Sequence, residues 1–140
     1  MRRLLLVLAG VVPMLALGLS GCSSDDEDAG GVDATLRDFK IELSASSAPA
    51  GAVTFKVKNQ GPSVHEFVVF KTDLGVDELP TDDNGDVVEN EDFEPLDEIE
   101  DIAVDATPSL EMDLDAGSYV ILCNVPAHYR QGMVTTFSVT

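Results

Sequence analysis

The chain has 140 residues, with 26 Asp and Glu against 8 Lys and Arg, and a formal net charge of −18 at pH 7. An acidic surface of this kind repels nucleic acid and anionic lipid headgroups, so the composition argues against a DNA- or RNA-binding protein. The charge has two interpretations that the sequence does not separate. It could attract cationic proteins at rates that fall with salt, or it could be an adaptation to a salty medium.

The N-terminus has the pattern of an export signal. Met1-Arg2-Arg3 precedes an apolar run over residues 4–19, which is too short and wrongly flanked for a membrane-spanning helix. The run ends on Leu19-Ser20-Gly21-Cys22, which resembles a bacterial lipobox. That resemblance implies a signal peptide over residues 1–21 and a diacylglyceryl group on the Cys22 sulfur. An ordinary secretory signal with a chance cysteine, or an uncleaved anchor, is the alternative.

Residues 22–32 are acidic, polar and Gly-containing, which is typical of a flexible tether. The remaining residues, 33–140, are enough for one compact domain. Only Cys22 and Cys123 occur in the chain. If Cys22 is lipidated, Cys123 has no partner left in the chain, so we expect no disulfide.

The domain is predicted to be all-β. Apolar and polar residues alternate in three segments: 39–43, 53–57 and 110–114. This period-two pattern indicates half-buried strands, and Gly- and Pro-containing turns bound them. Two more continuously apolar segments, 64–70 and 119–123, are expected to be central strands covered on both faces. The sum predicts an antiparallel sandwich with Greek-key connections.

Residues 72–101 have a different composition from the rest of the domain. Of these 30 residues, 14 are Asp or Glu and none is Lys or Arg. The segment is predicted to be a surface insertion with one short helical turn, between the strand that carries His65 and the hairpin that carries Cys123. We interpret it as a solvated acidic face in preference to a dedicated docking patch.

The most informative segment is the loop from Cys123 to Met133, in which His128 lies midway. His65, inside an apolar strand, is the only other histidine. Two His, one Cys and a weak axial Met form the ligand set of a blue-copper electron-transfer site. Each residue alone would more often be part of a hydrophobic core. Their joint occurrence predicts one copper ion bound by His65, Cys123, His128 and Met133.

At these residues the chain resembles the cupredoxin family over residues 33–140. The ligand loop and the turn Asn59-x-Gly61-x-x-x-His65 are similar to those of the family, and the loop spacing is similar to that of rusticyanin and sulfocyanin. A departure is Glu66, where plastocyanins and azurins carry Asn. The resemblance implies a cupredoxin-like Greek-key sandwich. It also implies an electron port at His128, with Pro126, Ala127 and Tyr129 available for docking.

These observations predict an electron carrier on the outer, extracytoplasmic or periplasmic face of the cell membrane. It would be a lipid-anchored monomer that exchanges electrons with redox proteins, a cationic cytochrome or an oxidase domain being the expected class of partner. An enzyme is not expected, because catalytic copper needs further imidazoles and none remains. The principal alternative is a copper-binding or copper-delivery lipoprotein outside an electron-transfer chain, and an adhesive surface lipoprotein without metal is another.

Overall fold

The computed structural model describes residues 31–140, which form two packed β-sheets. The nine strands are β1 (Gly31–Arg37), β2 (Lys40–Leu43), β3 (Ser47–Ala48), β4 (Gly51–Asn59), β5 (His65–Lys71), β6 (Asp97–Ile102), β7 (Ser109–Leu114), β8 (Gly117–Leu122) and β9 (Val134–Val139). The first sheet has the strand order β2-β1-β4-β7 and the second the order β3-β9-β8-β5-β6. The predicted β-sandwich is confirmed.

The sheets are mixed, whereas the sequence pattern predicts antiparallel pairing throughout. β1 runs parallel to β4, and β3 runs parallel to β9. The other strand pairs are antiparallel. Strand direction is set by the long connections between sheets, which alternation of apolar residues does not encode.

The N-terminal boundary of the domain differs from the sequence interpretation. Gly31 and Val32, predicted to end the tether, are the first residues of β1, and Val32 is buried opposite Phe55. The signal peptide, Cys22 and the tether up to residue 30 lie outside the described residues. Within residues 31–140 there is no helix of the length and apolarity needed to cross a membrane.

The core between the two sheets is built by the inward faces of the alternating strands. Phe55 of the first sheet packs against Phe67 and Phe137 of the second, with ring centroids 5.4 and 5.2 Å apart. All three rings are buried, and such aromatic contacts add to the stability gained from apolar burial. Cys123 and Met133 belong to the same buried cluster. Two of the four candidate metal ligands are therefore part of the packed core.

The acidic insertion does more than face the solvent. Its C-terminal part forms edge strand β6, and two of its few apolar residues, Leu79 and Val87, are buried. They pack with Val68, Phe70 and residues of β8 on the outer face of the second sheet. This cover explains why β5 is apolar on both faces, as the sequence indicates. The predicted helical turn is wrong: the only helical segment within residues 31–140 is a 3₁₀ turn, Tyr129–Gln131.

Candidate metal centre

Two neighbouring central strands bring the histidine and the cysteine together. β5 and β8 pair antiparallel, with Val68 opposite Leu122. His65, at the start of β5, and Cys123, just after the end of β8, therefore lie at the same end of the second sheet. His65 faces inward and is fully buried, as is Cys123. A register shift between His65 and Phe67 marks a bulge in β5 at the site.

The three strongest donor atoms face one another across a small gap. His65 Nδ1 lies 3.3 Å from His128 Nδ1 and 3.8 Å from the Cys123 sulfur, and the sulfur lies 3.4 Å from His128 Nδ1. The point equidistant from the three atoms lies about 2.0 Å from each, close to typical metal–nitrogen and metal–thiolate bond lengths of about 2.0 to 2.3 Å. The arrangement is that of a trigonal metal-binding site.

The environment of His65 favours the neutral imidazole that binds metal, whereas the environment of Cys123 favours the protonated thiol. Burial lowers the pKa of the His65 imidazole, and the proximity of His128 lowers it further, although Asp38 opposes the change. A neutral imidazole is the form that binds metal. Burial raises the pKa of the Cys123 thiol, against the effect of the backbone N–H groups of Glu66 and Val125. Metal binding must therefore release the thiol proton.

The ligand loop returns the chain sharply to the site. Ala127 has a φ of 69°, and the 3₁₀ turn that follows His128 ends at Gly132, whose φ is 97°. This left-handed conformation suits glycine and lets the chain turn into β9. The Met133 N–H donates to the carbonyl of His128 (3.1 Å), and the Met133 carbonyl accepts from the N–H of Cys123 (3.0 Å). The side chain of Met133 is fully buried.

The acidic insertion holds this loop at several points. The Asn124 side chain accepts from the N–H of Val87 (2.8 Å) and donates to its carbonyl (2.9 Å). The Asp86 carboxylate accepts from the N–H of Ala127 at 2.7 Å, directly before the ligand His128. Since these bonds begin on residues next to two ligands, the insertion contributes to the geometry of the metal centre.

Tyr129 and Arg130 also bond to the insertion. The Tyr129 hydroxyl donates to the carbonyl of Val76 (2.6 Å), and the Arg130 guanidinium donates to that of Asn84 (2.6 Å). Tyr129 is buried beneath the insertion. Its ring packs against the outer face of the second sheet, and the residue is 9% exposed, close to the 8% of His128, so a docking role of Tyr129 stays a prediction.

The turn before His65 is built around a buried asparagine. The Asn59 side chain donates to the carbonyls of Ser63 and Ile102 and accepts from the N–H of Gly61. It is fully buried, and these bonds satisfy its polar atoms. Position 66 carries Glu in place of Asn, but the Cys123 sulfur still has a hydrogen-bond donor beside it. The backbone N–H of Glu66 points to that sulfur at 3.3 Å.

The turn between β1 and β2 contacts both imidazoles, which the sequence did not indicate. The Asp38 carboxylate lies 3.3 Å from His65 Nε2. The Phe39 ring packs edge-on against His128, with centroids 5.4 Å apart. Phe39 has a φ of 65° and is 40% exposed. The period-two pattern wrongly places Phe39 among the inward-facing residues of a strand. Only Asp38, a residue type that is common in turns, could have suggested a turn at this point.

The donor atoms of His65, Cys123 and His128 fit one copper ion. His65, Cys123 and His128 form the one group of this type within residues 31–140, with ligand atoms within 4.8 Å of one another. The donor set of type 1 copper is two imidazole nitrogens and a thiolate in a trigonal arrangement, with a weak methionine ligand. Met133 is buried, and its backbone bonds to that of Cys123 and His128. A structural zinc site would be expected to have four closed tetrahedral ligands of N and S type.

Comparison with known proteins supports the same fold. No protein-family model and no curated protein matches the sequence. Among solved structures, the chain is similar to a dithionite-reduced auracyanin from Roseiflexus castenholzii, with 18% identity over 79% of this chain and 96% of that one and a TM-score of 0.60. It is also similar to the copper protein rusticyanin, with 19% identity over 79% and 76% of the chains and a TM-score of 0.60.

An azurin from Methylomonas sp. strain J has 16% identity over 80% of this chain and 98% of that one, with a TM-score of 0.55. At these identities the likeness concerns the fold. The described chain is a cupredoxin-fold β-sandwich that carries a His-Cys-His metal centre at one end of its second sheet.

Proposed function

We propose that this protein carries single electrons between redox partners by means of one type 1 copper ion. The observation that carries the proposal is the trigonal placement of two buried imidazole nitrogens and one buried thiol around a gap of metal size. The cupredoxin fold supports it, since rusticyanin, a protein of the same fold, is a copper protein. Copper in such a site supplies a one-electron Cu(I)/Cu(II) couple.

The protein's own residues would hold that couple with little rearrangement. His65, Cys123 and His128 come from two paired strands and a loop that the insertion fastens by hydrogen bonds. Met133, whose backbone is bonded to both loop ligands, is the proposed weak axial ligand. Phe67 and the other core residues exclude water from the thiolate side. A rigid, dry site favours rapid electron exchange over ligand exchange.

The electron port is proposed to be the edge of His128, which is 8% exposed. Pro126 is exposed and Ala127 half-buried on the loop beside it, and Phe39 covers part of the imidazole. Val64, 45% exposed, directly precedes the other histidine ligand. Redox contacts are typically small and brief, so a modest apolar surface is sufficient for docking.

Electron carriage is favoured over catalysis and over copper delivery. His65 and His128 are the only histidines in the chain, so no imidazole remains for a catalytic copper. The three donors are buried to 8% exposure or less, whereas delivery to another protein needs ligands that can be approached and exchanged. We propose that the protein is not an enzyme.

The location and partners are proposed on sequence grounds. The lipobox-like Leu19-Ser20-Gly21-Cys22 supports a lipid anchor on Cys22 and a position on the outer face of the cell membrane. A tether would raise the local concentration of the domain near membrane redox complexes. The acidic surface supports a cationic cytochrome or oxidase domain as partner and a monomeric carrier.

The proposal is tested by titrating residues 23–140 with Cu(II) while recording the visible absorption spectrum. We expect an intense thiolate charge-transfer band that saturates at one copper per chain and is bleached by ascorbate. Several weakly bound coppers without such a band would contradict the type 1 site. Copper that is bound with the band but passes readily to a competing chelator would support delivery instead.

The cationic partner is tested by the salt dependence of electron transfer to a cationic cytochrome. Asp83 is exposed on the insertion segment that bonds to the ligand loop through Asn84 and Asp86, so Asp83→Asn removes one charge from that segment. We expect the bimolecular rate of electron transfer to fall as the salt concentration rises. At low salt, we expect Asp83→Asn to react more slowly than the unchanged protein. The control is Glu111→Gln, an equal charge change on β7 of the other sheet. A rate that is flat with salt would show that the acidity serves another purpose.

A further inference from the structure

Two buried polar atoms next to the metal centre lack ordinary hydrogen bonds. Among buried side-chain nitrogen and oxygen atoms of residues 31–140, only His65 Nε2 and Asp38 Oδ1 have no well-aligned partner. These two atoms face each other at 3.3 Å. Buried polar groups are almost always paired, so two unpaired atoms this close need an explanation.

The orientation of the His65 ring supplies that explanation. Its Nδ1 points to the Cys123 sulfur and to His128 Nδ1 and is the atom placed for a metal. When Nδ1 binds a metal, the neutral imidazole carries its proton on Nε2, which then becomes a donor directed at Asp38. A shift of a few tenths of an ångström would produce a charge-assisted hydrogen bond of normal length.

The carboxylate is held in place from its other side. The Ser63 hydroxyl donates to Asp38 Oδ2 at 3.1 Å, and Ser63 belongs to the turn that Asn59 organises. Gly61 encloses the contact, since a Cβ there would lie 2.5 Å from His65 Nε2 and 3.0 Å from Asp38 Oδ1. No other acceptor for His65 Nε2 occurs among the described residues.

We propose that Asp38 is a positioning residue for the metal ligand His65 and that its negative charge lowers the reduction potential of the site. This inference rests on the proposed copper function. A carboxylate that accepts the imidazole proton fixes the ring orientation and increases the donor strength of Nδ1. Added negative charge stabilises Cu(II) more than Cu(I), because Cu(II) has the greater positive charge. The Asp38 carboxylate thus favours the oxidised form.

The test is the variant Asp38→Asn, which keeps the size of the side chain and removes its charge. We expect Cu(II) binding to weaken by about 10- to 100-fold, with a smaller change for Cu(I). For each factor of ten by which the Cu(II) affinity falls more than the Cu(I) affinity, the reduction potential rises by about 59 mV. Ser63→Ala, which keeps the charge of Asp38 and frees the carboxylate from its second bond, is expected to weaken Cu(II) binding by a smaller factor.

The matched control is Asp33→Asn, an equal charge change on the exposed face of β1, the strand that ends directly before Asp38. A second readout is the exchange rate of the His65 Nε2 proton with solvent in the Cu(I) protein, measured by NMR. We expect slow exchange in the unchanged protein and fast exchange in Asp38→Ala. The proposal would be overturned if the Asp38 variants had the same copper affinity, reduction potential and proton-exchange rate as Asp33→Asn. In that case, an intact charge-transfer band would leave the copper function standing.

Discussion

Replacing Cys123 by Ser is expected to abolish the thiolate charge-transfer band entirely and to leave Cu(II) bound weakly, if at all. Cys123 is the only thiol in residues 31–140, and its sulfur lies 3.4 and 3.8 Å from the two imidazole nitrogens. A serine hydroxyl is a hard donor that does not replace a soft thiolate for copper. The measurement is a Cu(II) titration followed by visible absorption, with far-UV circular dichroism as a check of the fold.

The matched control for this experiment is Met112→Leu, which removes a different buried sulfur from the core. Met112 lies on β7 of the first sheet and is 9% exposed. A Leu–Met exchange that conserves volume usually has a small effect on stability, so the band should persist unchanged. Persistence of the band in Cys123→Ser would mean that the thiolate does not bind the metal, and the proposed function would fall.

Gly61→Ala is expected to disrupt the site without touching a ligand. An alanine Cβ would lie 2.5 Å from His65 Nε2 and 3.0 Å from the backbone nitrogen of Asp38. Neither neighbour can give way easily, because the His65 side chain is fully buried and the other atom belongs to the backbone. We expect the imidazole to be displaced and copper affinity to fall by about 100-fold, the upper end for loss of an outer contact.

The measurement is competition for Cu(II) against a chelator of known affinity, together with the intensity of the charge-transfer band. Gly75→Ala is the control, because a Cβ at Gly75 meets only the flexible side chain of Glu78, at 3.0 Å. Equal copper affinity in Gly61→Ala and Gly75→Ala would show that the close approach of Gly61 to His65 has no part in building the site.

The ligand residues could be predicted from the sequence because their chemistry is rare in this chain. After residue 22 the sequence contains two histidines and one cysteine, and the ligand loop carries one histidine and the cysteine. The strands could be predicted in outline because a sandwich imposes period-two alternation on residues that face its core. β2, β4, β5, β7 and β8 overlap the predicted strands.

The role of the insertion could not be predicted from its composition. Fourteen acidic residues in thirty indicate solvent exposure. However, Leu79 and Val87 are buried on the second sheet, and Asp86 bonds to the ligand loop. Isolated apolar residues within an acidic segment were the only signal, and they do not identify the surface that they cover. Contacts between residues 86 and 127 depend on how the chain returns over the sheet, which local patterns do not specify.

The sequence alone thus determined the fold class and the set of candidate ligands, because residue type and local periodicity carry that information. The tertiary structure decided how these donors are arranged and what surrounds them. Asp38 and Phe39 illustrate the difference: nothing in a two-residue turn indicates that one side chain faces His65 and the other His128. That placement requires the turn between β1 and β2 to lie at the end of the sandwich where β5 begins and β8 ends, and it exists only once the two sheets have packed together.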